Sequence, residues 1–151
     1  MNDKFQVKRL HKPDVLIFQK LIILFQEVFE MEKRIEAEAS YLTALLNKPD
    51  FIALCVMAEN EIVGGLTAYE LPMYYDEISE IFIYDIAIKP AHQGKGLGKK
   101  LLLFLEEYCR QNGISSMFVA ANEEDEHARD FYHATGGKAE KVVHFNYLLN
   151  K

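Results

Sequence analysis

Apolar positions along this 151-residue chain recur in two rhythms, near every second residue and near every third or fourth, and their alternation predicts an α/β order. Phe5 to Leu10 reads as a short first strand. Asp14 stands where an N-cap belongs, ahead of a helix with Leu16, Leu21, Phe25, Val28 and Phe29 as its apolar positions and an end near Met31. A charged connection, Glu32 to Glu38, leads to a second helix around Ser40 to Leu46. Lys48-Pro49 stops it, because proline lacks an N–H and restricts the residue before it. Phe51 to Met57 and Ile62 to Tyr69 form a predicted hairpin joined through Ala58-Glu59-Asn60-Glu61. The loop Leu71 to Asp76, with Pro72, Met73, Tyr74 and Tyr75, offers aromatic side chains for packing or for recognition. Ile81 to Ile88 is almost continuously apolar, as a strand buried on both faces would be. An amphipathic helix from Leu97 to Asn112 follows, with Leu97, Leu101, Phe104 or Leu105, and Tyr108 on one face and Gly113 as its C-terminal cap. Met117 to Ala121 is the next strand and Glu126 to Thr135 the next helix, with Gly136-Gly137 beyond it. Ala139 to Leu149 supplies the closing strands. No repeat, low-complexity tract or linker interrupts this order, so residues 1–151 read as one domain of mixed sheet and flanking helices.

Two places depart from a plain core pattern. Asp85 lies inside the apolar strand, where a carboxylate must be paired, protonated or functional. Between that strand and the next helix runs Gln93-Gly94-Lys95-Gly96-Leu97-Gly98-Lys99-Lys100. Glycines at a strand-to-helix junction let the backbone approach an anion closely, and the free N–H groups of the helix then point at it. The same run also serves as a tight connection, so both readings stand at this point. Two common glycine motifs do not fit. A P-loop needs four residues between its glycines and a hydroxyl after its lysine, whereas Lys100 follows Lys99 here; a dinucleotide fingerprint needs glycine where Lys99 stands.

Charge sharpens the picture. The net charge is −6, yet Lys95, Lys99 and Lys100 gather at the glycine run. A polyanionic ligand would be met by that local basicity, and the carboxylate surplus elsewhere favours a cationic second ligand. No basic face is expected outside that run, so nucleic acid is disfavoured as a partner. No stretch approaches the length of a membrane span and the start Met1-Asn2-Asp3-Lys4 is polar, so a cytoplasmic setting is expected. Cys55 and Cys109 lack metal or disulfide spacing, and no metal is implied.

The glycine run matches Q/R-x-x-G-x-G/A through Gln93, Gly96 and Gly98, and in this it resembles the GCN5-related N-acetyltransferases. The resemblance implies their acyl-CoA N-acyltransferase fold and acetyl-CoA as cofactor, its pyrophosphate on Gln93, Gly94, Lys95, Gly96, Leu97, Gly98 and Lys99, and its pantetheine along Ile86, Ala87 and Ile88, with Asn122 also at the cofactor. A second pattern, A-x-x-[LF]-Y-x-x-x-G, is met from Ala128 to Gly136, and Tyr132 falls on its tyrosine. A tyrosine in a helix ordinarily packs; the resemblance implies instead that Tyr132 donates a proton to the departing thiolate.

Ser79 to Ile88, with His92 after it, is similar to the S-E-I-Y-I-Y-D-L-A-V segment of type I aminoglycoside 3-N-acetyltransferases. Tyr41-Leu42, Phe51 to Leu54, Val63-Gly64, Ala68-Tyr69, Leu71-Pro72 and His144-Phe145 agree too, as does the long spacing from Asn122 to Ala128; positions 122 to 127 keep the acidity of that group but differ in detail, and the first 30 residues match little. The resemblance implies direct acetyl transfer to a cationic amine, with Asp85 as acceptor of the ammonium proton and Tyr84, Asp85, Glu80, Glu123, Glu124 and Asp125 around the substrate. A polyamine, another small amine or a protein remains an alternative acceptor, and a non-catalytic acyl-CoA sensor a rival of another class. Members of this superfamily commonly dimerise, which makes a homodimer an expectation.

Overall fold

A computed structural model of the protein describes residues 4–150. These divide into two compact units, up to Ala120 and from Ala121 onward. The first holds β1 (Phe5–Arg9), α1 (Val15–Val28), α2 (Ala39–Leu46), β2 (Phe51–Ala58), β3 (Glu61–Pro72), β4 (Ser79–Ile88), α3 (Leu97–Gln111) and β5 (Met117–Val119). The strands form one sheet in the order β1-β2-β3-β4-β5. All neighbours are antiparallel except β4 and β5, which run parallel because α3 carries the chain back between them.

The helices cover the two faces of the sheet. Phe18, Leu21, Leu24 and Phe25 of α1 and Leu42 and Leu46 of α2 pack on Phe51, Ala53, Cys55 and Ala87. By register, Ile52, Leu54, Leu66, Ala68 and Ile83 point the other way, toward the face against which α3 packs with buried Leu101 and Leu105. Gly65 is tied to the first face. A Cβ there would meet Leu21 and lie 2.6 Å from the Leu54 carbonyl oxygen, so only glycine lets α1 settle onto the sheet.

Local signals act largely as predicted. The α3 helix ends at Gly113, left-handed at φ 68°, while the Ile114 N–H bonds back to the Cys109 carbonyl at 2.9 Å. Asp14 behaves differently. It precedes α1, but its carboxylate does not cap that helix; it accepts from the His11 N–H at 2.9 Å and from Lys8 Nζ at 3.0 Å, closing a 3-10 turn over Lys12–Asp14. No helix among the described residues is long and apolar enough to cross a membrane.

The second unit contains α4 (Glu126–Ala134) and a tail in no regular element. The closing strands expected over Ala139 to Leu149 do not form. Val142, Val143, Phe145, Tyr147, Leu148 and Leu149 are each at least 75% exposed. Apolar alternation is not enough for a strand: it also needs a neighbour for its N–H and C=O groups, and among the described residues none pairs with this segment.

Candidate active site

The β4 strand is not buried on both faces as its composition suggests. Ile81, Ile83 and Ala87 are buried, whereas Tyr84 is exposed and Phe82, Asp85, Ile86 and Ile88 are partly so. Register explains the pattern. Thr67 of β3 pairs with Asp85 and Ala68 with Ile83, so Tyr84 is an extra residue, a bulge. Without it Asp85 would share the face of Ile81 and Ile83, deep beneath α3. The extra residue turns Asp85 onto the α1 face beside Thr67 and Ala87 and leaves Ile86 to take the apolar phase.

Partial burial raises the Asp85 carboxyl above its ordinary value. Among the described residues nothing is hydrogen-bonded or ion-paired to it. The Tyr69 phenol is within its electrostatic reach: that phenol is pushed up first by burial, then by Tyr84, Tyr41 and Asp85. Tyr69 and Tyr84 meet edge to face at 6.1 Å, and Phe82 joins Tyr84 at 5.8 Å. A half-buried carboxylate without a partner, flanked by aromatic rings, can bind an ammonium and accept a proton from it.

The β4 edge has a second property. The parallel pairing with β5 covers Ile81, Phe82 and Ile83 only, so from Tyr84 to Ile88 this edge has no strand beside it among the described residues. The Gln93 side chain donates to the Ile88 carbonyl at 3.0 Å, which ties the glycine loop to the end of this edge.

In the loop, Gly94 and Gly96 are left-handed at φ 78° and 76°, and the space that a Cβ would enter at either is open. Gly96 is the N-cap of α3, and the Lys100 N–H already bonds to its carbonyl at 3.0 Å. The N–H groups of Leu97, Gly98 and Lys99 have no acceptor within the helix and stand at its positive end. Leu97 contributes only backbone, its side chain being 3% exposed in the core, while Lys95 and Lys99 are exposed. Two left-handed glycines, orphan helix donors and lysines suit a diphosphate and give the cradle a chemistry that a mere tight turn would not need.

The second unit is built around the helix that carries Tyr132. Asp125 Oδ1 accepts the Ala128 N–H at 3.1 Å, a true N-cap, so one oxygen of this expected substrate ligand already serves the helix. Arg129 reaches back to the Glu123 carbonyl at 3.0 Å, and the Asn122 carbonyl accepts the Asp125 N–H at 3.0 Å, which shapes the acidic stretch. Glu123 and Glu124 are exposed. At the other end Gly136, φ 99°, and Gly137 return N–H groups to the His133 and Tyr132 carbonyls, the latter at 2.8 Å, fixing the backbone of Tyr132. Glu80 lies five residues before Asp85 along β4, roughly 15 Å away at the rise of a strand, and accepts from Ser116 at 3.5 Å. That distance rules out direct proton exchange with Asp85.

The model of the Acetyltransferase (GNAT) family matches residues 18–136. The chain belongs to that family. Its cofactor is acetyl-CoA, and the chain is an acetyl-CoA-dependent N-acetyltransferase. An aminoglycoside acetyltransferase from an uncultured soil metagenomic sample, solved in complex with sisomicin, is 38% identical with a TM-score of 0.94 over 97% of both chains. Another from an uncultured soil metagenomic sample is 34% identical, TM-score 0.90, over 99% of this chain and 100% of that one. The uncharacterized N-acetyltransferase YycN of Bacillus subtilis (strain 168) is 32% identical over 85 residues, 56% of this chain and 53% of that protein. The chain thus spans about half the length of that relative.

Tyr41 and Tyr69 entered the sequence reading only within segments that agree with the family, and Phe5 only as the start of a strand, none of them with a role at the site. Local periodicity gives them no such role, and only register and tertiary contact bring Tyr69 near Asp85, Tyr84 and Tyr41. The two cysteines are buried, and burial lifts the Cys55 thiol to about 11 and raises that of Cys109, which disfavours a thiolate nucleophile at either.

Proposed function

We propose that this protein moves the acetyl group of acetyl-CoA to a primary amine of a cationic small molecule, an aminoglycoside at its 3-N position, by direct attack in a ternary complex. Asp85 carries the reading: a bulge withdraws it from the core, no described residue pairs with it, and tyrosines stand around it. A relative bound to sisomicin, similar over nearly the whole chain, supports the same class of acceptor.

Acetyl-CoA brings a thioester whose acyl carbon an amine can attack. The residues of this chain divide the remaining work. N–H groups from Gly94 to Lys99, with Lys95 and Lys99, hold the diphosphate, and Gln93 keeps the loop fastened to β4. The open edge of β4 at Ile86, Ala87 and Ile88 pairs with pantetheine as with an added strand, and a backbone N–H there steadies negative charge on the acyl oxygen. Asp85 draws the ammonium in and takes its proton, so the neutral amine attacks. Tyr132 Oη gives a proton to the departing sulfur. Both units belong to one acetyltransferase domain in this reading, which the family match supports because it runs through both.

Glu80, Tyr84, Glu123, Glu124 and Asp125 are the residues proposed to bind the substrate, carboxylates and a ring whose chemistry suits a polycation. A homodimer is part of the proposal: the apolar tail Val142 to Leu149 is exposed and has no strand neighbour among the described residues, and a second copy would cover it. The cytoplasm is the proposed compartment, with drug resistance as the biological role. The test is thiol release from acetyl-CoA against sisomicin, other aminoglycosides, polyamines and peptides, with NMR of the product. Acetylation at the 3-amino group supports the reading; release with polyamines or peptides alone overturns its acceptor.

A further inference from the structure

Side chains from both sides of the glycine loop converge on one residue outside it. Phe5 opens β1 and by register stands on the α3 face of the sheet with Val7 and Arg9. His92, in the turn ahead of the loop, meets the Phe5 ring edge-on with 5.8 Å between centroids. Lys95, between the two left-handed glycines, places its ammonium over that ring at 5.6 Å from the centroid. Lys100, in the first turn of α3, donates from Nζ to the Phe5 carbonyl at 2.6 Å. His92 and Lys100 flank the cradle and Lys95 lies within it, and all three meet Phe5, whose ring also has the Lys4 ammonium at 5.7 Å from its centroid. The buried Nδ1 of His92 has no hydrogen-bond partner among the described residues, so that nitrogen does not fix the imidazole.

We propose that Phe5 is a positioning residue for the cofactor diphosphate: its ring parks the Lys95 ammonium at the mouth of the cradle before the ligand arrives. The inference rests on the reading that residues 94–99 receive that diphosphate. A lysine on an exposed glycine loop has many rotamers, and ordering it on binding subtracts from affinity. Held over a ring face, the ammonium is already near its destination and meets that cost during folding instead. Phe5 carries no charge, so its side chain acts on the anion through Lys95. Lys100 bonds to the main-chain oxygen, and that tie survives a change of the Phe5 side chain.

The experiment is a double-mutant cycle on coenzyme A affinity by titration calorimetry, with Phe5→Leu, Lys95→Met and the double variant, and with pantetheine as the probe that lacks phosphate. Phe5→Leu keeps apolar volume on the edge strand and removes the ring. It is expected to weaken coenzyme A about threefold to tenfold. The double variant is expected to bind no more weakly than Lys95→Met alone within about twofold, because the ring acts through that lysine. Phe5→Tyr should restore affinity. In the protein without coenzyme A, the Lys95 Hε resonances should lie upfield from the ring current and return to the ordinary position in Phe5→Leu.

Full affinity in Phe5→Leu, or effects of the two single variants that multiply, overturns the proposal. So does an ordinary Lys95 Hε shift in the wild type, which needs no variant to fold. If the wild type binds coenzyme A no more tightly than pantetheine, the diphosphate reading itself fails and takes the Phe5 inference with it. If the wild type prefers coenzyme A strongly and Phe5→Leu keeps that preference undiminished, only the Phe5 inference falls.

Discussion

Replacing Asp85 with asparagine should make the fold more stable and the enzyme far slower. The carboxylate is partly withdrawn from water, with no described hydrogen bond or cation in return, and burial accordingly raises its carboxyl above the ordinary 3.8. Because the folded form holds that proton more tightly than the unfolded chain, stability falls as pH rises from the ordinary value through the raised one, and the loss is complete above it. An amide of the same shape carries no such charge. Asp85→Asn should therefore gain up to about 1 kcal/mol at neutral pH, since water still reaches the partly exposed carboxylate and screens part of the cost. For a chain of this size that corresponds to a rise of about 2–4 °C in melting temperature. The gain should vanish as pH is lowered beneath the carboxylate range. Turnover with a fixed cationic amine should drop about 10²- to 10⁴-fold, the usual contribution of a positioned base. Thermal melts across pH 3 to 8, paired with thiol-release assays, measure both effects. A variant less stable than the wild type at pH 7, or one that keeps its turnover, would show that Asp85 has a structural partner and refute the reasoning.

Other substitutions probe separate parts of the molecule. Tyr132→Phe should lower turnover about 10²-fold or more with coenzyme A affinity unchanged by calorimetry, and equal turnover would remove Tyr132 from proton transfer. Gly65→Ala should cost about 1–3 kcal/mol in denaturant unfolding, since the added Cβ meets Leu21 and the Leu54 carbonyl. Asp14→Ala should cost about 1 kcal/mol at pH 7. That carboxyl is lowered chiefly by the His11 backbone bond and then by Lys8, so its stabilisation is present above pH 3.8 and is lost as pH falls through the lower folded value; the difference between the unfolding curves of variant and wild type at pH 7 should shrink as pH falls below 3.8.

Order and type of element were legible over most of the first unit because their causes are local. Pro49 ends one helix, Gly113 caps another, and the hairpin through Ala58 to Glu61 closes where polar residues interrupt two apolar runs. The cradle was legible for the same reason: left-handed glycines and helix N–H groups belong to one short segment. Two expectations failed where pairing decides. The β4 strand looked doubly buried because apolar composition does not report a register shift at Tyr84. The tail from Ala139 to Leu149 looked like strand because alternation does not supply a neighbour.

Asp85 shows the division within a single residue. A carboxylate in an apolar run marked it as exceptional by composition alone, since burying charge is costly wherever the strand lies. Which face it takes depends on how β3 and β4 are aligned, because one extra residue reverses the side of everything after it. The convergence of His92, Lys95 and Lys100 on Phe5 is likewise tertiary. Some ninety residues separate the loop from the first strand, and only the folding of α3 across the sheet brings them within reach. Sequence by itself determined what each short segment can do, through backbone sterics and periodicity; tertiary structure decided which segments act together, because pairing and packing join positions that no local pattern links.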